Sequence, residues 1–184
     1  VVTEYADYLD VINGWWICDE PGASQFKGLG MTVAAFKKYT PDKNTQINLF
    51  PTYAKDSQYG TDGYQEYLDQ FVEIVDPHYL SYDNYNGAGI NNVDFYNNLE
   101  IVLKKAQESG IDPMIIIGLT RFSSGIPNYT YEELMWEVNV SLTCGMKRIS
   151  YFTYWLSQDL LDQGWNDACM DTTGKIYPHY YDVQ

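Results

Sequence analysis

Five short runs of large apolar residues recur along this chain, at positions 14–18, 46–53, 79–85, 114–121 and 149–155, and each runs into polar or turn residues. Bulky, β-branched and aromatic runs of this length with abrupt ends read as buried strands. Between them lie segments whose apolar residues recur at helical spacing: Phe26, Leu29 and Val33; Tyr64, Tyr67, Leu68, Phe71, Val72 and Val75; Phe95, Leu99, Val102, Leu103 and Ala106; Leu134, Val138 and Leu142. These read as amphipathic helices. Strict alternation of the two, with strands apolar on both faces, predicts an α/β chain of parallel strands covered by helices and joined by right-handed crossovers.

Local punctuation supports the parsing. Thr130 and Glu133 have capping-box spacing, Asp62 and Gln65 repeat it, and Gly110 and Gly145 stand where helices stop. Tyr5, Tyr8, Leu9 and Ile12 continue a helical spacing ahead of the first strand. Gly28-Leu29-Gly30 lies inside a predicted helix without the rest of a phosphate-binding fingerprint, so it is read as packing.

Polar residues collect at the C-terminal end of every predicted strand: Asp19 and Glu20, Thr52 and Tyr53, Asp83 and Tyr85, Thr120 and Arg121, Tyr154 and Trp155. That is the catalytic face of a β/α barrel. A closed barrel needs eight strands and roughly 250 residues. The 184 residues here are therefore expected to form one partial domain, residues 1–184, comprising strands four to eight of a (β/α)8 TIM barrel. The missing barrel half would come from the same parent chain or from another chain.

A formal charge of −14 argues against a nucleic-acid surface, which needs clustered Lys and Arg, and against anionic membranes. The longest apolar stretch, near 114–119, is far short of the roughly 20 residues that span a bilayer. The chain reads as soluble, in an unspecified compartment, with secretion and the periplasm both compatible. Cys18, Cys144 and Cys169 allow at most one bridge, and Cys18 reads as a small buried residue. His78 and His179 are too few and too widely spaced for a zinc site, so no metal or cofactor is expected. The glycosylation patterns at Asn128 and Asn139 carry little weight.

Aromatic residues make up 16% of the chain, and Tyr53, Tyr59, Tyr82, Tyr85, Tyr154, Trp155 and Trp165 fall at strand ends or in the loops after them. Rings with a polar edge suit sugars, whose faces carry C–H groups and whose rims carry hydroxyls. Trp15, Tyr67 and Trp136 are read as packing instead, and Trp155 as sugar-binding. An oligosaccharide or glycoside is the ligand this composition predicts.

Gly14-Trp15-Trp16-Ile17-Cys18-Asp19-Glu20-Pro21, with Asn48-Leu49-Phe50-Pro51-Thr52-Tyr53, Leu80-Ser81-Tyr82-Asp83-Asn84-Tyr85 and Ile149-Ser150-Tyr151-Phe152-Thr153-Tyr154-Trp155, resembles the barrel glycoside hydrolases, especially bacterial relatives of family 42 β-galactosidases. In that clan of retaining β-glycosidases the acid/base is the Glu of an Asn-Glu-Pro motif after strand four, so the resemblance assigns the role to Glu20, with Asp19 replacing the usual Asn. The clan's nucleophilic Glu on strand seven has no counterpart in Ile117-Gly118-Leu119-Thr120-Arg121.

A glycosidase generally needs two carboxyl groups. Asp83, closing the third run with the parity of Ser81 as Glu20 has the parity of Cys18, is the second candidate; the alternative is an ordinary Asx turn at Asp83-Asn84. Asp19, Asn48, Tyr53, Tyr85, Arg121, Tyr154 and Trp155 are the candidate substrate-binding residues. Arg121 would contact substrate or pair with a neighbouring acid. Glu132 and Glu133 read as helix-capping, and Gly87, Gly89 and Asn91 as a loop over the site. Two other readings stay open. One is a substrate-assisted glycosidase of 2-acetamido sugars, with Asp19 orienting the amide; the other is a non-catalytic carbohydrate-binding barrel that has lost the strand-seven carboxylate.

Overall fold

The computed structural model describes residues 3–85, 91–122 and 129–184. The expectations placed on Gly87, Gly89 and Asn128 lie outside these residues. Five parallel strands, β1 (Gly14–Asp19), β2 (Asn44–Leu49), β3 (Tyr79–Asp83), β4 (Asp112–Gly118) and β5 (Arg148–Phe152), pair in chain order into one sheet. The sheet curls into half of a barrel. Its helices are α1 (Phe26–Tyr39), the single turn α2 (Asp56–Tyr59), α3 (Tyr64–Val75), α4 (Val93–Ser109) and α5 (Tyr131–Cys144). A C-terminal excursion follows, with β6 (Trp155–Leu156) paired to β7 (Met170–Asp171) and two short helices, α6 (Gln158–Asp162) and α7 (His179–Asp182).

Strand register sorts the side chains into two rows, because successive residues of a strand point to opposite faces. Ile47, Leu49, Leu80, Tyr82, Ile115 and Ile117 belong to the core shared with the helices. The other row carries Asn48, Ser81, Asp83, Ile116 and Phe152, aligned across the strands by the pairings Asn48–Ser81, Asp83–Ile116 and Gly118–Phe152. Helix contact on one row alone leaves the second free to form a concave surface.

One irregularity decides which acids join that row. Trp16 pairs with Gln46 and Asp19 with Asn48, so β1 takes three steps where β2 takes two. The extra residue is a bulge, which re-aims every side chain beyond it. The parity read from the sequence is corrected here: Cys18 packs against the helix-side core, and Asp19 enters the concave row beside Asn48.

Several local expectations change in the same way. The helical spacing of Tyr5, Tyr8, Leu9 and Ile12 yields only a three-residue 3-10 turn, Ala6–Tyr8, with no buried residue to offset the cost of nucleating a longer helix. Asp62 does not cap α3; Gly63 does, while the Asp62 amide donates to Glu66 Oε2 (2.8 Å). The Thr130–Glu133 box forms as expected, with backbone donors at 2.8 and 3.2 Å. On α5 the fully buried residues are Leu134, Glu137 and Ser141; Val138 packs partly buried against the core as expected, but Leu142 is about half exposed. Gly30 is packing, as read: a Cβ there would lie 2.4 Å from the Ile74 carbonyl oxygen, so the α1 and α3 backbones approach this closely only because the residue is glycine.

Trp15 and Trp136 also pack as read, against Phe36 (5.2 Å between ring centroids) and Phe95 (5.4 Å). All three cysteines are free thiols. Among the described residues no helix is long and apolar enough to cross a membrane, and no cluster of His, Cys, Asp and Glu has the makings of a metal site.

Candidate active site

The C-terminal ends of the strands surround a cavity of about 310 Å³ with two unlike walls. Asp19, Glu20, Asn48 and Asp83, from β1 to β3 and the turn after β1, form the polar wall; Ile116, Phe122, Phe152 and Trp165 form the apolar one, with Tyr85 and Trp16 between them. A larger concavity of about 550 Å³ lies at the opposite ends of the strands, bounded by Gly14, Asn44, Tyr79 and Arg148. Among the described residues its lining has no carboxylate, whereas the smaller cavity has three.

Two buried tyrosines hold the loops of the polar wall. Tyr67, fully buried on α3, donates its hydroxyl to the Pro21 carbonyl (2.7 Å), and Tyr59 does the same for Pro51 (2.7 Å). Glu20 sits between these anchors in the left-handed region (φ 44°), and its amide donates to the Asn48 carbonyl (2.8 Å). An L-residue in that region costs about 1–2 kcal/mol, and such strain persists only where the surroundings enforce it. The bulge in β1 and this turn together bring two consecutive acids to one cavity.

Asn48 organises the carboxylates. Its Nδ2 donates to Asp19 Oδ1 (3.1 Å) and also to Asp83 Oδ2, while its Oδ1 accepts from the Ser81 hydroxyl (3.3 Å). Asp83 is only 3% exposed, and its Oδ1 has no hydrogen-bond partner among the described residues. Asp83 does not accept an Asx-turn bond from the Tyr85 amide, which donates to the Tyr53 hydroxyl instead (3.3 Å).

Burial, and then the nearby Glu20 charge, push the Asp83 carboxyl up to about 7, against the lowering effect of the Asn48 donor; the Tyr85 hydroxyl also lowers it from outside hydrogen-bond geometry. Glu20 is raised by partial burial and then by Asp19. No cationic side chain is among the influences on either group, and none lines the cavity. Asp83, lifted this way, fits proton transfer near neutral pH, and Glu20 beside it is raised in the same direction.

Of the nine residues singled out in the sequence, Asp19, Glu20, Asn48, Asp83 and Tyr85 meet in the cavity lining. Tyr53 adjoins it through the Tyr85 amide. Arg121 lies outside the lining: its guanidinium stacks 3.3 Å over the Tyr129 ring, and its charge acts on buried Glu137. Tyr154 and Trp155 are about half exposed and also lie outside it, because β5 ends at Phe152 and Trp155 joins the small β6–β7 pair.

The apolar wall is what the sequence did not disclose. Phe122 and Trp165 meet edge to face (4.8 Å between centroids), and Tyr85 contacts Phe122 at 5.3 Å and Phe152 at 6.0 Å, giving one continuous aromatic surface. Trp165 could be suspected from its place after the last predicted strand; Phe122 and Ile116 carry no such signal. Glu137 is a second omission. It is 1% exposed, pushed up to about 8 by burial against the lowering effect of Arg121, and its Oε1 lacks a hydrogen-bond partner among the described residues.

Gly118 ends β4, paired with Phe152. A Cβ there would lie 3.0 Å from Tyr85 Cδ1 and 3.3 Å from the Tyr129 hydroxyl.

No family model matches the chain, and no curated protein matches it. Among solved structures, it is similar in fold to a putative α-L-fucosidase from Bacteroides thetaiotaomicron, with a TM-score of 0.61 at 13% identity over 84% of this chain. The chain spans about half (52%) of that structure's length. At that identity the likeness is one of fold: a glycosidase-like half-barrel.

Proposed function

We propose that this chain carries the acid–base site of a glycoside hydrolase, on a half-barrel completed by strands that pair with the free edges of β1 and β5. Fold similarity to a putative α-L-fucosidase supports the class. The observation that carries the reading is the shared cavity: Glu20 and Asp83, from strands two apart in the sheet, border it with raised proton affinities opposite an aromatic wall.

Glycosidic hydrolysis needs one carboxyl that keeps its proton until the leaving oxygen departs and one that is ionised to attack or to activate water. Burial to 3% exposure and an unpartnered Oδ1 on the cavity suit Asp83 to the first role. Glu20, half-buried beside Asp19, then serves as nucleophile or base. This reverses the division implied by the resemblance. Asn48 positions Asp83, and the rings of Phe122, Phe152 and Trp165 take the apolar face of the sugar.

The test is turnover of a panel of aryl glycosides, α-L-fucoside included, by the complete protein. Hydrolysis that Glu20→Gln abolishes is expected. A second reading has its own support: Gly118 and the rings packed over it leave the strand-seven position without an acid, as in a barrel that binds sugar without cutting it. Saturable sugar binding with no turnover across the panel would establish that reading instead.

A further inference from the structure

Trp165 reaches the cavity from the C-terminal excursion, and this segment is tied down by charge. The Arg121 and Asn166 backbones exchange two hydrogen bonds (2.9 and 3.1 Å), joining it to the end of β4. Next comes Asp167, 3% exposed and in the left-handed region (φ 62°), whose Oδ1 accepts from the Ala168 amide (3.2 Å). Its Oδ2 lies 3.0 Å from Nε2 of His179, which is 2% exposed at the start of α7. Nδ1 of the same ring lies 2.9 Å from Asp182 Oδ2.

Nδ1 is hydrogen-bonded to Asp182, whereas Nε2 meets Asp167 as an ion-pair contact without a hydrogen bond among the described residues. A neutral imidazole has one N–H and one bare nitrogen, so it can turn a proton toward only one of the two carboxylates; the imidazolium turns one toward each. If the ring loses its proton, one acid, enclosed in the case of Asp167, faces a lone pair. An ionised group in that position is among the costliest a fold can hold. We propose that Asp167, His179 and Asp182 form a latch that seats Trp165 in the cavity wall, with His179 the positioning residue, and that the latch holds only while both ring nitrogens of His179 carry protons.

Burial works against the imidazolium, yet Asp167 and Asp182 together outweigh it and hold the ring above the ordinary histidine range. Among the described residues the other titrating group on which Asp167 and Asp182 both act is Cys169, itself raised by burial and by those two carboxylates; Tyr177 also feels Asp167. The latch therefore opens on the alkaline side. A seated Trp165 is a matter of substrate affinity more than of bond cleavage, so opening raises KM and leaves kcat largely intact. This consequence rests on the glycosidase reading; the movement of Trp165 does not.

The experiment uses 5-fluorotryptophan-labelled complete protein, with the Trp165 fluorine resonance identified by its loss in Trp165→Phe and followed from pH 6 to 9.5. One titration of that signal, with a midpoint above 6.5, is expected in the wild type. Asp182→Asn is the decisive variant: its amide can donate to a bare Nδ1 while Nε2–H still faces Asp167, so in a neutral ring no carboxylate faces a lone pair and the Trp165 titration disappears. His179→Ala gives the alkaline signal at every pH. A flat wild-type signal overturns the latch, as does an Asp182→Asn titration matching the wild type, and either result stands even if His179→Ala fails to fold. Turnover with a flat Trp165 signal removes the latch and keeps the hydrolase. A titrating Trp165 without turnover does the reverse.

Discussion

Asn48 Nδ2 on β2 donates to Asp83 Oδ2 on β3, so the most deeply buried acid of the cavity depends on a neighbouring strand for its hydrogen bond. Removing one partner of a buried pair leaves the other unsatisfied, at about 1–3 kcal/mol. Asn48→Ala is expected to lower stability by roughly that amount in urea unfolding. Loss of the donor also lets Asp83 hold its proton to higher pH, so the limb of the rate profile that reports Asp83 moves upward. An unmoved limb would separate Asn48 from the chemistry.

Asp83 makes stability depend on pH with a definite sign. Its carboxyl stands at about 7 in the folded chain, against 3.8 for an unperturbed aspartate. Below about pH 4 both states hold the proton, and the group costs the fold nothing. From there to about 7 only the unfolded chain releases it, so the folded state loses ground as pH rises, by a total on the order of 4 kcal/mol. Asp83→Asn is expected to flatten that part of the curve. Urea midpoints of both proteins between pH 4.5 and 8 give the difference directly.

Gly118 tests the packing at the end of β4. Ala at this position would press a methyl against Tyr85 Cδ1 and the Tyr129 hydroxyl. Overpacking of this kind costs typically about 1–3 kcal/mol. Gly118→Ala is expected to weaken sugar binding by displacing Tyr85, measurable as a raised Kd in calorimetry, together with a lower Tm. Unchanged affinity would show that Tyr85 does not touch the ligand.

Charge predicts which sugars are refused. Asp19, Glu20 and Asp83 border the cavity with no Lys, Arg or His in its lining. A uronate would meet this acidic wall at close range, where like charges repel by an amount on the order of 1 kcal/mol or more even near solvent. A uronic acid glycoside is therefore expected to bind roughly tenfold or more weakly than its neutral counterpart, with the gap narrowing as salt rises. Equal affinity for the two would contradict the electrostatics described above.

The legible parts of this molecule were those fixed by short-range periodicity. Five apolar runs became five strands in the expected order, and the acids closing the first and third reached one cavity. The bulge at residues 17–18 was not legible, because an extra residue in a strand leaves the apolar run unbroken while reversing the parity beyond it. The α5 face misled for a related reason. Glu137 sits where a hydrophobic residue would be sought, and only the fold brings it near Arg121. The aromatic wall joins Phe122, Phe152 and Trp165 from three segments, a juxtaposition set by tertiary structure. Trp155 looked like the stronger ligand because the apolar run continues through it, whereas the strand stops at Phe152 and the chain turns away.

Roles for Glu20 and Asp83 are tested most directly by leaving-group dependence. In the complete protein, Asp83→Asn should retain near wild-type rates on aryl glycosides whose phenols leave without a proton, and lose about 10²- to 10⁴-fold on those that need one. Glu20→Gln should lose activity on both kinds. Equal losses on both substrates in Asp83→Asn would contradict its role as the acid, and full activity in Glu20→Gln would contradict the site altogether.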